Sequence, residues 1–265
     1  MYYYIFEPSK AKFSKREDKI KDILGDLGIA GEAVSPSAAR TIEELTHLGV
    51  VKGYSTIVAC GSEMLVNKVI TVLATEKMAK ETVLGIIPDD FNSLLAERLG
   101  LKDIFSACNA LKYRKLETIN LCLIEPNKYF LTEAIIESPR NQEIFFSVEK
   151  LQGRALVSKI TIHPGLAISF YDQTLEGKTS QKFTRWLFGR KEKDIYSSSF
   201  STKRIRFESE EANLPVKVSG EIVAKTPVTL SNRQRILKII VARDRIGMKE
   251  KNSPIGRAGG KRLKN

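Results

Sequence analysis

Over its first 114 residues the chain alternates strand-like strings with helix-like segments, and this alternation restricts the fold more than any other feature. Tyr2 to Phe6 is aromatic and apolar, and Glu7-Pro8-Ser9-Lys10 breaks it. From Ser14 to Leu27 the apolar residues Ile20, Ile23, Leu24 and Leu27 recur at helical spacing. A short strand is expected near Ile29 to Val34. Pro36 is expected to start a helix through Ala39, Ile42, Leu45 and Leu48. Thr56 to Ala59 reads as a strand, followed by a helix from Val66 through Leu73 and onward. Val83 to Ile87 is a further strand ended by Pro88, and Phe91 to Leu99 a helix ended by Gly100. Strands joined through helices lie parallel, so a parallel sheet with crossover helices is expected.

The pattern changes after about Arg114. "TINLCLIE", "KYFLTEAII", "EIFFSVEKL", "ALVSKITIH" and "LAISFYD" are short, alternating or β-rich, with turn residues between them. "RIRFESE", "PVKVSGEIVAKTPVTL" and "ILKIIVAR" continue the series. Such segments predict an antiparallel sandwich or barrel. One helix is expected to interrupt them, Ser180 to Leu187, ending at Gly189. There is no internal repeat. The expected organisation is an α/β domain over residues 1–114, a mainly β domain over 115–245 and a basic, disordered tail over 246–265.

With 265 residues, 42% of them hydrophobic, the chain has material for one large core or two modest ones. Its formal net charge is +12. Such an excess favours an anionic partner: nucleic acid, an acidic membrane surface or a phosphorylated small molecule. From Arg245 to Asn265 there are seven Lys or Arg and one Glu, so the tail supplies about half of it. Cys60, Cys108 and Cys122 lie far apart in apolar strings, which suits reduced core residues. His47 and His163 are isolated, and zinc is not expected. The start, "MYYYIFEPSKAKFSKRED", has its charges after the apolar string, unlike a secretory signal. No apolar run approaches the roughly 20 residues of a membrane span. The expected setting is the cytoplasm, with peripheral attachment to a membrane left open.

The turn after the third strand carries one glycine, an acid and an asparagine, in Gly61-Ser62-Glu63-Met64-Leu65-Val66-Asn67-Lys68-Val69. Leu84-Gly85-Ile86-Ile87-Pro88 is a strand ending in proline. Asp90-Phe91-Asn92-Ser93 follows it, then Ala96, Leu99 and Gly100. Upstream, Glu7-Pro8 closes the first strand, and Ser35 precedes Gly53-Tyr54. Downstream, Ser219-Gly220-Glu221 comes before Thr226-Pro227-Val228, and "RWLFGRK" has a helix-then-glycine form. In order and spacing this series resembles the diacylglycerol kinase catalytic family, lipid kinases that share their fold with NAD kinases. The resemblance runs from about Tyr2 to Val241. At the corresponding places the family has Gly-Gly-Asp-Gly-Thr with a later Asn-Glu, then Gly-Thr-Gly-Asn, Asn-Pro, a Thr, and Asp-Gly-Glu.

The resemblance implies ATP and Mg2+ as cofactors and phosphorylation of a lipid hydroxyl. Such chemistry is mostly positioning and charge neutralisation, with backbone N–H groups on the phosphates and carboxylates on the metal. By resemblance Glu63 stands at the motif Asp, as a catalytic and metal-binding residue, and Glu221 at the general base. Gly61, Ser62, Asn67, Ser35 and Ser93 fall at nucleotide-binding places. The chain departs at Ser62, Met64, Leu65 and Lys68, and at Ser219 beside Glu221. "PGLAISFYD" lacks an expected acid between Pro164 and Tyr171. Two functions follow: a diacylglycerol-kinase-like lipid kinase, whether its activity is full, reduced or lost, or a non-catalytic member binding nucleotide, lipid or a protein partner.

The same residues have plainer readings. Glu63 suits the first turn of a helix through the helix dipole. Asn67 reads as a surface amide, Glu221 as a hairpin residue, Ser93 as a helix cap, and Asp89 and Asp90 as loop acids. Lys182 to Lys191, "KFTRWLFGRK", suits an anionic bilayer interface or a helix packing Trp186 and Leu187 on the sheet. The expected partners are a nucleotide and a lipid substrate or anionic membrane surface. A homo-oligomer is left open and nucleic acid is not expected.

Overall fold

Strand β1 (Tyr2–Phe6) is flanked on both edges by parallel neighbours, β2 (Glu32–Val34) and β3 (Thr56–Gly61), and β3 pairs in parallel with β4 (Val83–Pro88). The computed structural model that shows this describes residues 1–8, 14–76, 81–171, 198–210 and 213–243. The predicted helix over Ser180–Leu187, the basic-aromatic stretch and the tail lie outside the described residues. The crossovers are the predicted helices, α1 (Ser14–Asp26), α2 (Ile42–Val51) and α3 (Glu63–Thr75). Between β4 and the second half come α4 (Leu94–Leu99) and α5 (Ile104–Tyr113). Helices α1 and α5 pack together, as do α2 and α3.

Two helix starts differ from expectation, each for a capping reason. Helix α2 begins at Ile42 rather than near Pro36. The Thr41 side chain accepts from Glu44 N at 3.1 Å, and Glu44 Oε2 accepts from Thr41 N at 2.7 Å. That reciprocal pair satisfies two orphan amides and outweighs the proline. Helix α4 begins at Leu94, where Ser93 caps it, and ends at Gly100 with φ 74°. Helix α5 has no counterpart among the predicted elements. Asp103 caps it, and it buries Ala107, Cys108, Ala110 and Leu111.

The β-rich half is as predicted in kind. It comprises β5 (Lys115–Ile124), β6 (Lys128–Phe130), β7 (Ala134–Val148), β8 (Leu151–His163), β9 (Ala167–Tyr171), β10 (Ser198–Ser201), β11 (Arg204–Glu208), β12 (Pro215–Val218), β13 (Glu221–Lys225) and β14 (Val228–Val241). These pair antiparallel with one another. Strand β14 joins the halves. Its start lies antiparallel to β11, and its end runs parallel to β4, with Lys238 opposite Val83 and Ile239 opposite Leu84. Between them the register shifts and Arg235 takes φ 50°.

Two hydrophobic cores result. The first lies under the parallel strands and includes Leu237, Ile239, Ile240 and Val241 from β14. The second lies in the β-rich half, around Phe130, Ile160, Phe170 and Phe207. Cys60, Cys108 and Cys122 are free and buried. Burial pushes the Cys108 thiol up to about 11 and raises Cys60 and Cys122 as well. In the unfolded chain thiols ionise near 8.5. A thiol reagent at neutral pH is therefore expected to label none of the three in the native protein and all of them after unfolding. Stability should fall as pH rises from about 8.5 toward 11, because the unfolded chain then releases protons that the folded one retains.

Candidate functional site

Strands β1 to β4 run parallel, so the residues that follow them gather at one edge of the sheet: Glu7, Ser35, Ser62 and Asp89. The spatial order β2-β1-β3-β4 reverses direction between β1 and β3. In open α/β sheets a ligand crevice forms at such a switch point, outside the strand carboxyl ends. A cavity of 290 Å³ lies there, lined by Phe6, Glu7, Arg16, Glu17, Cys60 and Asp89 among others. Three of these are acids. The Arg16 guanidinium donates to the carbonyl of Asp89 at 2.6 Å and to that of Pro88, and it lies over the Phe91 ring.

The β3–α3 turn closes the crevice. Ser62 is the N-cap of α3, its hydroxyl accepting from Leu65 N at 3.4 Å. Glu7 reaches across from β1. Its Oε2 accepts from Ser62 N at 2.6 Å and its Oε1 from the Ser62 hydroxyl at 2.8 Å. A Cβ at Gly61 would stand 2.5 Å from Glu7 Oε2 and 2.7 Å from Glu7 Cβ, so only glycine admits this approach. Met64 packs against the first core.

At the start of α3 and one turn further along, Glu63 and Asn67 meet residues of the second half. Glu63 Oε2 accepts from the Thr132 hydroxyl at 3.2 Å and from the Ser219 hydroxyl at 3.3 Å. Asn67 is buried at 9% exposure, unlike a surface amide. Its Nδ2 donates to Ser219 Oγ at 3.1 Å, and its Oδ1 accepts from Leu131 N at 3.2 Å. Ser219, at φ 50°, and Gly220, at φ 82°, form the β12–β13 turn that brings the hydroxyl there. Glu221 opens β13 and is exposed.

The structure thus joins Glu63 and Asn67 through Ser219, and sets Gly61 and Ser62 against Glu7. Ser35 is exposed in the segment after β2. Ser93 caps α4, accepting from Ala96 N at 3.2 Å and donating to Asp90 O at 2.8 Å. Sequence reasoning missed Thr132 and the reach of Glu7. The Glu7-Pro8 departure from Asn-Pro was the available signal for the second.

This donor set offers magnesium one carboxylate and falls short on the phosphate side. Magnesium usually takes one or two carboxylates together with waters and substrate phosphates, in near-octahedral geometry. Glu63 is the one carboxylate in its network. Among the described residues no group of three or more His, Cys, Asp or Glu is placed to hold a metal ion. The Ser62 N–H that would face a phosphate is taken by Glu7. Residues 1–114 carry 15 Lys or Arg and 15 Asp or Glu, so the +12 excess lies wholly beyond them.

No protein-family model and no curated protein matches the chain. Solved structures do. A diacylglycerol kinase from Bacillus anthracis str. Sterne aligns with a TM-score of 0.73 at 14% identity, over 91% of this chain and 97% of that one. A second structure from that organism, provisionally named a diacylglycerol kinase, has a TM-score of 0.75 at 14% identity, with the same coverage. The chain therefore has the fold of these proteins, with parallel strands in its N-terminal half and antiparallel ones in its C-terminal half. Among the described residues no helix is long and apolar enough to cross a membrane.

Proposed function

We propose that this chain is a non-catalytic protein on the lipid-kinase fold, which binds an anionic lipid surface and does not phosphorylate a lipid hydroxyl with ATP. The Glu63 network carries this reading. In phosphoryl transfer the acids at this place position the metal and accept the proton of the attacking hydroxyl. Here Glu63 accepts hydrogen bonds from Thr132 and Ser219, and Ser219 stands where the resemblance expects an acid. Ser219 has no basic function at neutral pH. The lipid side of the reading rests on charge. Residues 115–265 hold 28 Lys or Arg against 16 Asp or Glu, and basic residues near an anionic bilayer contribute about 1 kcal/mol each. Peripheral attachment in the cytoplasm is the corresponding location.

A second reading, an active diacylglycerol-kinase-like enzyme using ATP and Mg2+, is favoured by one observation. Glu63, Asn67 and Ser219 meet where the two halves face each other, as an interdomain catalytic site requires.

The full-length chain incubated with labelled ATP, magnesium and a lipid panel that includes diacylglycerol separates the two. No transfer above a protein-free control is expected, and transfer that disappears in Glu63→Ala would establish the enzyme. Sedimentation with phosphatidylserine vesicles should retain the protein at about 0.1 M salt and release most of it at about 0.5 M. Equal retention on neutral vesicles would remove the charge argument.

A further inference from the structure

We infer that Glu7 is a resident anion: its carboxylate occupies the anion seat at the head of α3, and while it is there the loop admits no external phosphate. This goes beyond the proposed lipid-binding role and is tested independently of it. A helix N-terminus offers unpaired N–H groups and a positive dipole end to an anion. Helix α3 is 13 residues long, and its cap residue Ser62 offers an N–H and a hydroxyl ahead of the Glu63 and Met64 amides. Both Ser62 groups are held by one carboxylate, at 2.6 and 2.8 Å, in a charge-assisted, two-point arrangement.

The backbone is shaped around that carboxylate. Glu7 N donates to Cys60 O at 2.9 Å, which fixes the residue beside the turn. Gly61 is the single glycine left in the loop. In a phosphate loop a glycine lets the backbone approach the ligand. Here its missing Cβ leaves room for Glu7 Cβ and Oε2, which a side chain would meet at 2.7 and 2.5 Å. The glycine therefore serves an internal anion.

A tethered carboxylate competes as an intramolecular ligand, whose effective concentration reaches the millimolar range or above. Any phosphate must displace it in a cavity lined also by Glu17, Asp89 and Arg16, whose guanidinium is already held by the carbonyls of Pro88 and Asp89. The apparent affinity of an external anion is lowered by the fraction of time the seat is free.

The test follows the Ser62 amide by NMR in the full chain, with inorganic pyrophosphate as the probe and no metal. In the unmodified protein the Ser62 amide proton is expected far downfield, and about 10 mM pyrophosphate should leave it in place. Glu7→Gln keeps the shape and removes the charge, so the resonance should move upfield. Glu7→Ala empties the seat, and pyrophosphate should then shift Ser62 with an apparent Kd at least about tenfold lower than in the unmodified protein. A Ser62 amide unmoved by Glu7→Gln overturns the inference. So does a pyrophosphate response that is equal in the unmodified protein and Glu7→Ala. If Glu7→Ala fails to fold, the Glu7→Gln shift alone decides. The kinase assay reads a different quantity, so either conclusion can fail without the other.

Discussion

Replacing Ile239 by Ala is expected to cost about 2–5 kcal/mol and to unfold both halves of the protein in one transition. Ile239 has no exposed surface and belongs to the first core. It lies opposite Leu84 of β4 and Glu117 of β5, so the void opens between the parallel sheet and the first strand of the β-rich half. The same strand, β14, places Val228 and Leu230 in the second core. Loosening one end of β14 therefore loosens the other. Urea unfolding followed by circular dichroism should show a lower midpoint and a single step. Amides of β7 and β8 that stay protected after those of β3 and β4 exchange would show instead that the halves unfold separately.

Asn67→Ala should rank second, at about 1–3 kcal/mol. The loss comes from what the amide leaves behind. Leu131 N–H loses its acceptor at a residue only 2% exposed, and Ser219 loses a donor. Asn67→Asp separates the two contributions. It keeps an acceptor for Leu131 N but sets a second carboxylate on the Ser219 hydroxyl already shared with Glu63. Mutual repulsion should make it no better than Ala at neutral pH. Thermal melts of the three proteins at neutral pH check this. An Asn67 devoted only to a nucleotide would leave the melting temperature unchanged in every variant.

Much of the fold is legible in the chain. β1 falls on Tyr2–Phe6 as predicted, and β3, β4, α1 and α3 fall within a few residues of expectation. Their periodicity is strong because each buries a face against the first core. Helix α5 escaped because half of its buried residues are Ala107 and Ala110, which give a weak apolar signal. The start of α2 was misplaced because a proline is more conspicuous than the Thr41–Glu44 pair that caps the helix. In the β-rich half the strand-like segments are evident. That β14 passes from one core to the other is not, since period alone does not choose a strand's partners.

The candidate site divides in the same way. Gly61, Ser62, Glu63 and Asn67 are visible as a strand-to-helix turn with an acid and an amide six or fewer residues past the glycine. The sequence by itself determined the parallel sheet, the change to antiparallel strands after Arg114 and the position of this turn. All three depend on local period and turn chemistry. Only the tertiary structure decided what the turn holds. Glu7 lies 55 residues from Ser62, Thr132 lies 69 from Glu63 and Ser219 lies 152 from Asn67. Such contacts come from strand order and from the β12–β13 turn, which no local pattern encodes. The physical consequence is that a carboxylate already holds the Ser62 amide and hydroxyl at the head of α3.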